Sequence, residues 1–249
     1  MKKRINILLS FLVVFAFLYL IKMALDIDDL VFPYPHEVLI NLFRIILTRQ
    51  AIFDILSSLL RIVMGLGLSI LFSFPIGLFF GMNEKVYSFL EPAMDFLRSL
   101  PAIALIPLFI VFFGVGELLK IAIIFFGVSI ILIINLVYGV RSVKESRIVA
   151  ARMFRANNWQ ILLKIIIPES MPYLFLGLRI SFSLSLIFVL VAEMMTGATY
   201  GIGTRIVDYQ LRFDYLGMYT MIIISGIIGS SINFLVSRFE GKVVFWRRK

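Results

Sequence analysis

The residue types that usually carry catalysis or bind metals are scarce in this sequence. His36 is the only histidine, and the chain has no cysteine. A histidine pair for a metal, a cysteine nucleophile and a disulfide are therefore excluded. The glycine-rich stretches GLGLSI, GVGELL and GIGTRI lack the third glycine of a dinucleotide fingerprint, and no P-loop pattern occurs. We expect no catalytic residue, no metal and no cofactor in this chain, which is therefore not an enzyme.

The composition indicates that the chain lies in a lipid bilayer. It is 61% hydrophobic and only 16% charged, with a mean hydropathy of +1.03, far from the balance of soluble domains. The apolar runs do not alternate with polar residues, as barrel strands do, so we predict an all-α, polytopic membrane helical bundle, one transmembrane domain over residues 1–249. Six segments are long enough to cross the hydrocarbon core as helices: Ile5–Ile21, Ile62–Met82, Ser99–Gly116, Ile121–Val140, Ser170–Ala192 and Tyr215–Ser237.

Two of the six segments allow other interpretations. Pro101 and Pro107 each remove a backbone donor from the third segment, so we expect it to start earlier, near Phe89, and to be kinked. The first segment follows three basic residues at positions 2–4, as the apolar region of a signal peptide would. No A-x-A-like cleavage site follows it, and it is long for such a region, which favours a retained span.

The basic residues are distributed unevenly between the two sides of the predicted bundle. If the amino terminus is cytoplasmic, most of the 24 Lys and Arg residues lie on the cytoplasmic side. This asymmetry predicts a multi-pass protein of the inner or plasma membrane with both termini in the cytoplasm. The net charge of +9 is then explained by orientation and by anionic lipid headgroups, and we expect no nucleic-acid partner.

Two ionisable residues belong to the fifth predicted span: Arg179 lies within it, and Glu193 directly follows its outer end. A charge inside a span is by default a sign of a transport pathway, so both are candidate pathway or gate residues. Their spacing of fourteen residues places them about 21 Å apart along a helix, too far to pair with each other. Structural pairing or snorkelling explains Arg179 better than solute contact does, whereas the two interpretations of Glu193 are balanced.

The segment between the fourth and fifth predicted spans, about residues 141–169, is too polar to cross a membrane and too apolar for a disordered tail. Trp159, Leu162, Leu163 and Ile166 recur in it at helical spacing. This pattern predicts two short amphipathic helices on the inner surface, the second ending at Pro168. Such helices either lie against lipid headgroups or present an apolar face to a groove of a soluble partner.

The stretch VAARMFRANNWQILLKIIIP in this segment resembles the cytoplasmic motif of inner-membrane permease subunits of ATP-binding-cassette importers. That motif is Glu-Ala-Ala, three residues, Gly, nine residues, then Ile-x-Leu-Pro. Ala150, Ala151, Ile165 and Pro168 match it, and the two alanines would be small because a partner's groove approaches them closely. Further matches follow the chain: SLLR ending at Arg61, LPAIALIPLFIVFFGVGELLKIAI, GLRI (Gly177–Ile180), AEM (Ala192–Met194) and GIG (Gly201–Gly203).

The resemblance implies a type I importer permease that works with several partners. These are a cytoplasmic ATPase subunit dimer, an extracytoplasmic substrate-binding protein and a second permease copy, with a homodimer favoured over a heterodimer. The implied solute is of the sulfonate, taurine, nitrate or vitamin-precursor type. The ATPase-coupling residues would be Val149, Ala150, Ala151, Arg152, Arg155, Ala156, Trp159, Ile161 and Pro168. An ion-driven secondary transporter and a non-transporting membrane scaffold remain alternatives; the first should show acidic residues near the bilayer centre, which only Glu193 approaches.

The sequence departs from the family motif at two positions, with Val149 in place of Glu and Arg155 in place of Gly. Glycine reaches the left-handed backbone region, which costs another residue roughly 1 kcal/mol or more. Asn tolerates that region. We therefore predict that the bend has moved to Asn157 and Asn158 and that Arg155 is unstrained.

Overall fold

The computed structural model of the protein describes residues 2–25, 28 and 30–243. These residues form helices joined by short turns, and no strand occurs among them, so the predicted all-α class is confirmed. The elements are, in chain order, α1 (Lys2–Leu25), α2 (Pro35–Ile45), α3 (Arg49–Met82), α4 (Glu84–Ser99), a 3-10 turn (Ala102–Leu105), α5 (Ile106–Phe113), α6 (Glu117–Arg141), α7 (Glu145–Met153), α8 (Asn158–Ile161), a π-helical turn (Leu162–Ile166), α9 (Ile167–Thr196), α10 (Ile202–Leu211) and α11 (Tyr215–Val243).

Four helices in the described part of the chain are long and apolar enough to cross a membrane: α3, α6, the continuous helix Asn158–Thr196, and α11. A fifth candidate consists of α4 and the helix Ala102–Phe113, which meet at 84°. This break lies at Pro101, where the third predicted segment was expected to kink.

The first predicted span, Ile5–Ile21, lies within α1, where Val13–Ala24 forms a shorter apolar stretch. The side chains at positions 2–8 and 10–12, including the first basic cluster, lie outside the described residues. The basic residues at positions 247–249 lie outside them as well. The count of four to five spans is therefore close to the six predicted.

A row of small residues allows α3 and α6 to pack closely, with their chains parallel. A Cβ atom on Gly65 would lie 2.6 Å from the Ile124 side chain, and one on Gly81 would lie 2.6 Å from the Val140 side chain. Between them, the hydroxyl of Ser73 donates a hydrogen bond of 3.0 Å to the carbonyl of Ser129 across the interface. Small residues and interhelical hydrogen bonds are the contacts that hold helices together in lipid.

Helix α9 runs antiparallel to α3 and α6, and α11 runs antiparallel to α9. Gly127, early in α6, faces Phe188 late in α9, while Gly139, late in α6, faces Ser170 early in α9. The beginnings of α3, α6 and α11 therefore share one end of the bundle with the end of α9 and with α10, which we call the α10 end. The opposite end carries α7 and α8, and we call it the α7 end.

The chain continues as one helix from α8 through the π-helical turn into α9. The prediction that the second amphipathic helix ends at Pro168 is therefore wrong. The N–H of Ile167 donates to the carbonyl of Leu162, five residues back. This wider turn lies directly before Pro168, which has no backbone N–H to donate and whose ring disturbs the regular hydrogen-bond pattern of the continuous helix.

Candidate functional site

The turn between α7 and α8 is built around a left-handed residue, Arg155, with φ of +57°. The N–H of Ala156 donates to the carbonyl of Ala151 at 3.0 Å, and the N–H of Arg155 donates to that of Arg152 at 2.9 Å. These two bonds form a Schellman motif, in which the left-handed residue just beyond the helix is usually glycine. The prediction that the bend has moved to Asn157 and Asn158 is therefore wrong.

Asn157 caps the next helix instead of making the bend. Its backbone is extended, with φ of −78° and ψ of 168°. Its Oδ1 accepts a hydrogen bond of 2.8 Å from the N–H of Gln160, and the Gln160 Oε1 accepts one of 2.9 Å from the N–H of Asn157. This reciprocal pair is a capping box, which satisfies two backbone donors at the start of α8.

Replacing Arg155 with glycine is expected to stabilise the protein by about 1 kcal/mol, because glycine adopts the left-handed conformation without a Cβ contact. Thermal unfolding of the purified chain in detergent would measure the change. Asn157→Ala serves as the opposite control, since loss of the cap should cost about 1 kcal/mol. A melting temperature for Arg155→Gly at or below that of the unchanged protein would show that Arg155 is not strained.

The turn exposes large apolar side chains at the α7 end. We call Val149, Met153, Phe154 and Trp159 the coupling surface; all four are exposed, and Phe154 most of all, at 88%. The remaining predicted coupling residues divide between two environments. Ala150, Arg152 and Arg155 are exposed, Ala151, Ala156 and Pro168 are half-buried, and Ile161 is buried.

The two alanines of the motif have different neighbours. Ala150 is exposed, as expected for a residue that a partner approaches. Ala151 packs against the chain's own apolar cluster, which includes Val140 and Ile161. The close packing of Ala151 against this cluster therefore explains its small size within the chain itself.

An ion pair connects α7 to the bundle. Arg147 in α7 donates to Glu169 at the start of α9. The Schellman motif and the capping box define the turn between α7 and α8, on which the coupling surface lies.

A second cluster of polar residues lies at the α10 end, centred on the guanidinium of Arg61. Arg61 is 5% exposed. Its Nε and Nη2 donate to the two carboxylate oxygens of Glu117 at 2.6 and 2.7 Å. Its Nη1 donates to Glu193 at 2.6 Å and to the carbonyl of Tyr200 at 2.9 Å. One side chain thus connects α3, α6, α9 and the loop before α10.

Glu193 is fully buried and satisfied by the chain itself. Its carboxylate accepts hydrogen bonds from the Ser58 hydroxyl at 2.8 Å and from the N–H of Gly203 at 2.8 Å, in addition to the bond from Arg61. A buried carboxylate is tolerated when it is paired and hydrogen-bonded in this way. These hydrogen-bond partners of Glu193 all belong to the chain itself. Any effect of Glu193 on a transport pathway would therefore act through the position of α10.

Side chains of α3 and α9 accept hydrogen bonds from the backbone N–H groups at the start of α10. The N–H of Gly201 donates to Asp54 at 2.9 Å, that of Ile202 to the Ser58 hydroxyl at 3.0 Å, and that of Gly203 to Glu193. The first N–H groups of a helix have no partner within it and carry partial positive charge. Two buried carboxylates and a hydroxyl therefore stabilise this helix end.

The glycines of GIG are required by close contacts in this cluster. A Cβ atom on Gly203 would lie 2.3 Å from the carbonyl oxygen of Leu190, and one on Gly201 would lie 2.7 Å from the Glu193 carboxyl carbon. The neighbour of Gly203 is a backbone atom, so a side chain there would force α10 away from α9, whereas a side chain at position 201 would displace the Glu193 carboxylate and the Arg61 guanidinium.

Arg205 extends the cluster along α10. Its Nε donates to the buried Asp54 at 2.8 Å, and its Nη1 donates to Asp208 at 2.9 Å. The hydrogen bond that Arg205 donates to Asp54 raises the pKa of Arg205 above its ordinary value. The cluster also includes Lys120, which is buried and lies 3.6 Å from Glu117.

The second sequence-predicted pathway residue, Arg179, is separate from this cluster. It donates to the Ser237 hydroxyl and to Glu240 of α11, both at 2.7 Å. This is the structural pairing that the sequence favoured. Four residues of the cluster were not predicted from the sequence as site residues: Asp54, Glu117, Lys120 and Arg205. The short motifs SLLR, AEM and GIG contain Arg61, Glu193 and the two glycines that meet here.

Relatives of known type resemble this chain over most of its length. A probable ABC transporter permease protein of Brucella abortus is 31% identical over 97% of this chain and 95% of its own. The taurine transport system permease protein TauC of Escherichia coli is 30% identical over 81% of this chain and 73% of its own. The putative aliphatic sulfonates transport permease protein SsuC of Bacillus subtilis is 28% identical over 87% of this chain and 78% of its own.

The fold is also that of a known transporter. A chain from the inward-facing MetNI methionine ABC transporter superimposes with a TM-score of 0.67 at 19% identity, covering 78% of this chain and 96% of that one. Residues 73–245 match the family model of the binding-protein-dependent transport system inner membrane component. The chain therefore belongs to this family, the membrane permease subunits of ABC transporters.

Proposed function

We propose that the chain is the permease subunit of an ABC importer and forms the translocation pathway for a small solute that a substrate-binding protein delivers. ATP hydrolysis takes place in a separate cytoplasmic ATPase dimer. A second permease copy, identical to the first, completes the pathway. The α7 end faces the cytoplasm and the α10 end faces outward, an orientation supported by the concentration of Lys and Arg near α7.

The observation that carries this proposal is the coupling surface. Its four large apolar residues belong to the segment outside the hydropathy-predicted spans, and they are exposed although the turn beneath them is tightly hydrogen-bonded. An apolar surface on a rigid support suits docking into a groove of a soluble partner better than contact with headgroups alone. In a permease that partner is the ATPase.

The solute class is supported by the relatives. The names of three of them refer to aliphatic sulfonates, taurine and bicarbonate. Each of these solutes carries an oxyanion. We therefore propose that the solute is small and carries a sulfonate, carboxylate or similar oxyanion group. It belongs to the sulfonate, taurine, nitrate or vitamin-precursor type.

Replacing Phe154 with alanine is expected to reduce solute-stimulated ATP hydrolysis and uptake about tenfold or more, because a central aromatic residue often dominates a docking interface. The chain, co-purified with its ATPase and reconstituted in proteoliposomes, provides both measurements. The amount of chain in the membrane should not change, since Phe154 packs little against its own bundle.

The matched control is Phe112→Ala, which removes an exposed phenylalanine of α5 away from the α7 end. It should leave coupling unchanged. Equal losses in the two variants, or none in Phe154→Ala, would contradict the docking assignment. Uptake that persists without ATP and stops when the proton gradient is collapsed would instead support a secondary transporter.

A further inference from the structure

The two carboxylates bound to Arg61 differ in how firmly they are held. Glu193 is 0% exposed and also accepts hydrogen bonds from Ser58 and Gly203. Glu117 has a side chain that is 60% exposed, and it is held by two cations, Arg61 and Lys120. Glu117 can therefore leave toward water, whereas Glu193 cannot.

The cations that Glu117 would leave behind are nearly buried. Arg61 is 5% exposed and Lys120 is 2% exposed. When Glu117 leaves, Arg61 keeps Glu193, but two cations then share one carboxylate, and excess charge at a buried place is unfavourable. Departure of Glu117 therefore favours the binding of another anion at the same place.

A small monoanion would restore the charge balance of the cluster. Two cations, Arg61 and Lys120, now face two carboxylates, Glu117 and Glu193. Exchange of Glu117 for one monoanion leaves this balance unchanged. The exchange also costs Glu117 little hydration, because most of its side chain is already exposed.

The geometry of the donors selects the class of anion. The Nε and Nη2 of Arg61 hold the two Glu117 oxygens at 2.6 and 2.7 Å, a parallel fork that can bind two oxygens of a carboxylate, sulfonate or nitrate. Lys120 Nζ lies 3.6 Å from Glu117 Oε1 and adds a second positive charge. We propose that Arg61 and Lys120 form an exchangeable anion site, which Glu117 occupies in this structure and from which the oxyanion of the transported solute displaces it.

The exchange has a structural consequence. Arg61 keeps its bonds to Glu193 and to the carbonyl of Tyr200 when Glu117 leaves. The direct ion pair between Arg61 of α3 and Glu117 of α6 is replaced by an anion that bridges Arg61 and Lys120, which also lies in α6. Arrival of the solute at the α10 end therefore changes how α3 and α6 are connected there while α10 stays in place. The identity of the solute rests on the proposed function, but the binding site itself does not.

Replacing Glu117 with alanine is expected to tighten binding of a small oxyanion about ten- to hundredfold. In the unchanged protein the site is free only in the minor fraction of molecules in which Glu117 has moved away. If this fraction is about 1–10%, the apparent affinity for the anion is about ten- to hundredfold weaker than the affinity of the free site. The measurement is the rise in melting temperature of the detergent-purified chain as sodium methanesulfonate or sodium nitrate is titrated at constant ionic strength. Glu117→Gln, which keeps the side-chain shape, should show a smaller tightening in the same direction.

Asp95→Ala is the matched control, because it frees Arg98 from an exposed ion pair of 3.0 Å without creating a buried cation. It should show no tightening. A second comparison places the chain in nanodiscs of phosphatidylglycerol or phosphatidylcholine, which separates a lipid headgroup from a free solute as the occupant.

Tightening in both Glu117 variants and not in Asp95→Ala supports the site. Equal responses in all variants, or an effect of phosphatidylglycerol alone, would overturn it. The measurement needs no ATPase and no transport, so its failure would leave the permease function untouched, and loss of coupling in Phe154→Ala would be a separate result.

Discussion

Glu193→Ala is expected to lower the free energy of unfolding by about 3–5 kcal/mol, because it removes the fully buried carboxylate that pairs with Arg61 and accepts two further hydrogen bonds. Arg61 would keep Glu117, but the Ser58 hydroxyl and the N–H of Gly203 would also lose their acceptor. Each unsatisfied buried group adds to the cost. Unfolding of the purified chain in mixed micelles with increasing SDS would measure the change.

Glu240→Ala provides the comparison, since it removes the carboxylate of an ion pair that is partly exposed on both sides. Pairs of this kind contribute about 0–1 kcal/mol. A loss in Glu193→Ala no larger than that in Glu240→Ala would show that the buried cluster does not hold the α10 end together.

Gly203→Ala is expected to destabilise the protein by about 3 kcal/mol, at the upper end of overpacking effects. The added methyl group would lie 2.3 Å from the Leu190 carbonyl oxygen and 2.9 Å from the Glu193 Cβ. Because the first of these is a backbone atom, α10 itself must move away from α9. Such a movement would also lengthen the hydrogen bond between Gly203 and Glu193.

Gly226→Ala tests whether this effect belongs to the contact or to any loss of a glycine. Gly226 lies in α11, and its Cβ would meet no atom within 4 Å. Alanine there should stabilise the helix by about 0.5–1 kcal/mol. Opposite signs for the two substitutions in the same SDS titration are the expected result, and similar values would contradict it.

Hydropathy was sufficient to predict most of the membrane helices, because the cost of an unpaired backbone in lipid allows few other structures. Tyr215 was placed correctly as the start of the last long helix. Other boundaries moved outward, as in α3, which begins at Arg49 rather than Ile62. Its first turns mix apolar residues with Arg49, Asp54 and Arg61, so a hydropathy run does not show that the helix begins there.

The turn between α7 and α8 shows how the preferences of a residue can lead to a wrong prediction. Asn is suited both to a left-handed turn and to a helix cap. Asn157 was predicted to make the left-handed turn, but Gln160 three residues later completes a capping box, which favours the role of helix cap. Because Asn157 caps α8, the residue with the left-handed backbone conformation is Arg155.

The buried cluster at the α10 end was beyond prediction from local patterns. Arg61 and Glu193 are separated by 132 residues, and they meet only because α3 and α9 pack antiparallel in one register. The family motifs marked some of the participating residues, but motif spacing carries no information about which of them touch.

The helix from Asn158 to Thr196 has 39 residues, so it is a rod about 58 Å long. Trp159 lies near one of its ends and Glu193 near the other. If the rod tilts by about 10° around its middle, each end moves by about 5 Å in opposite directions. A displacement of the coupling surface would therefore move Glu193 in the opposite direction. The stiffness of the π-helical turn at Leu162–Ile166 determines how much of that displacement is absorbed by bending of the helix.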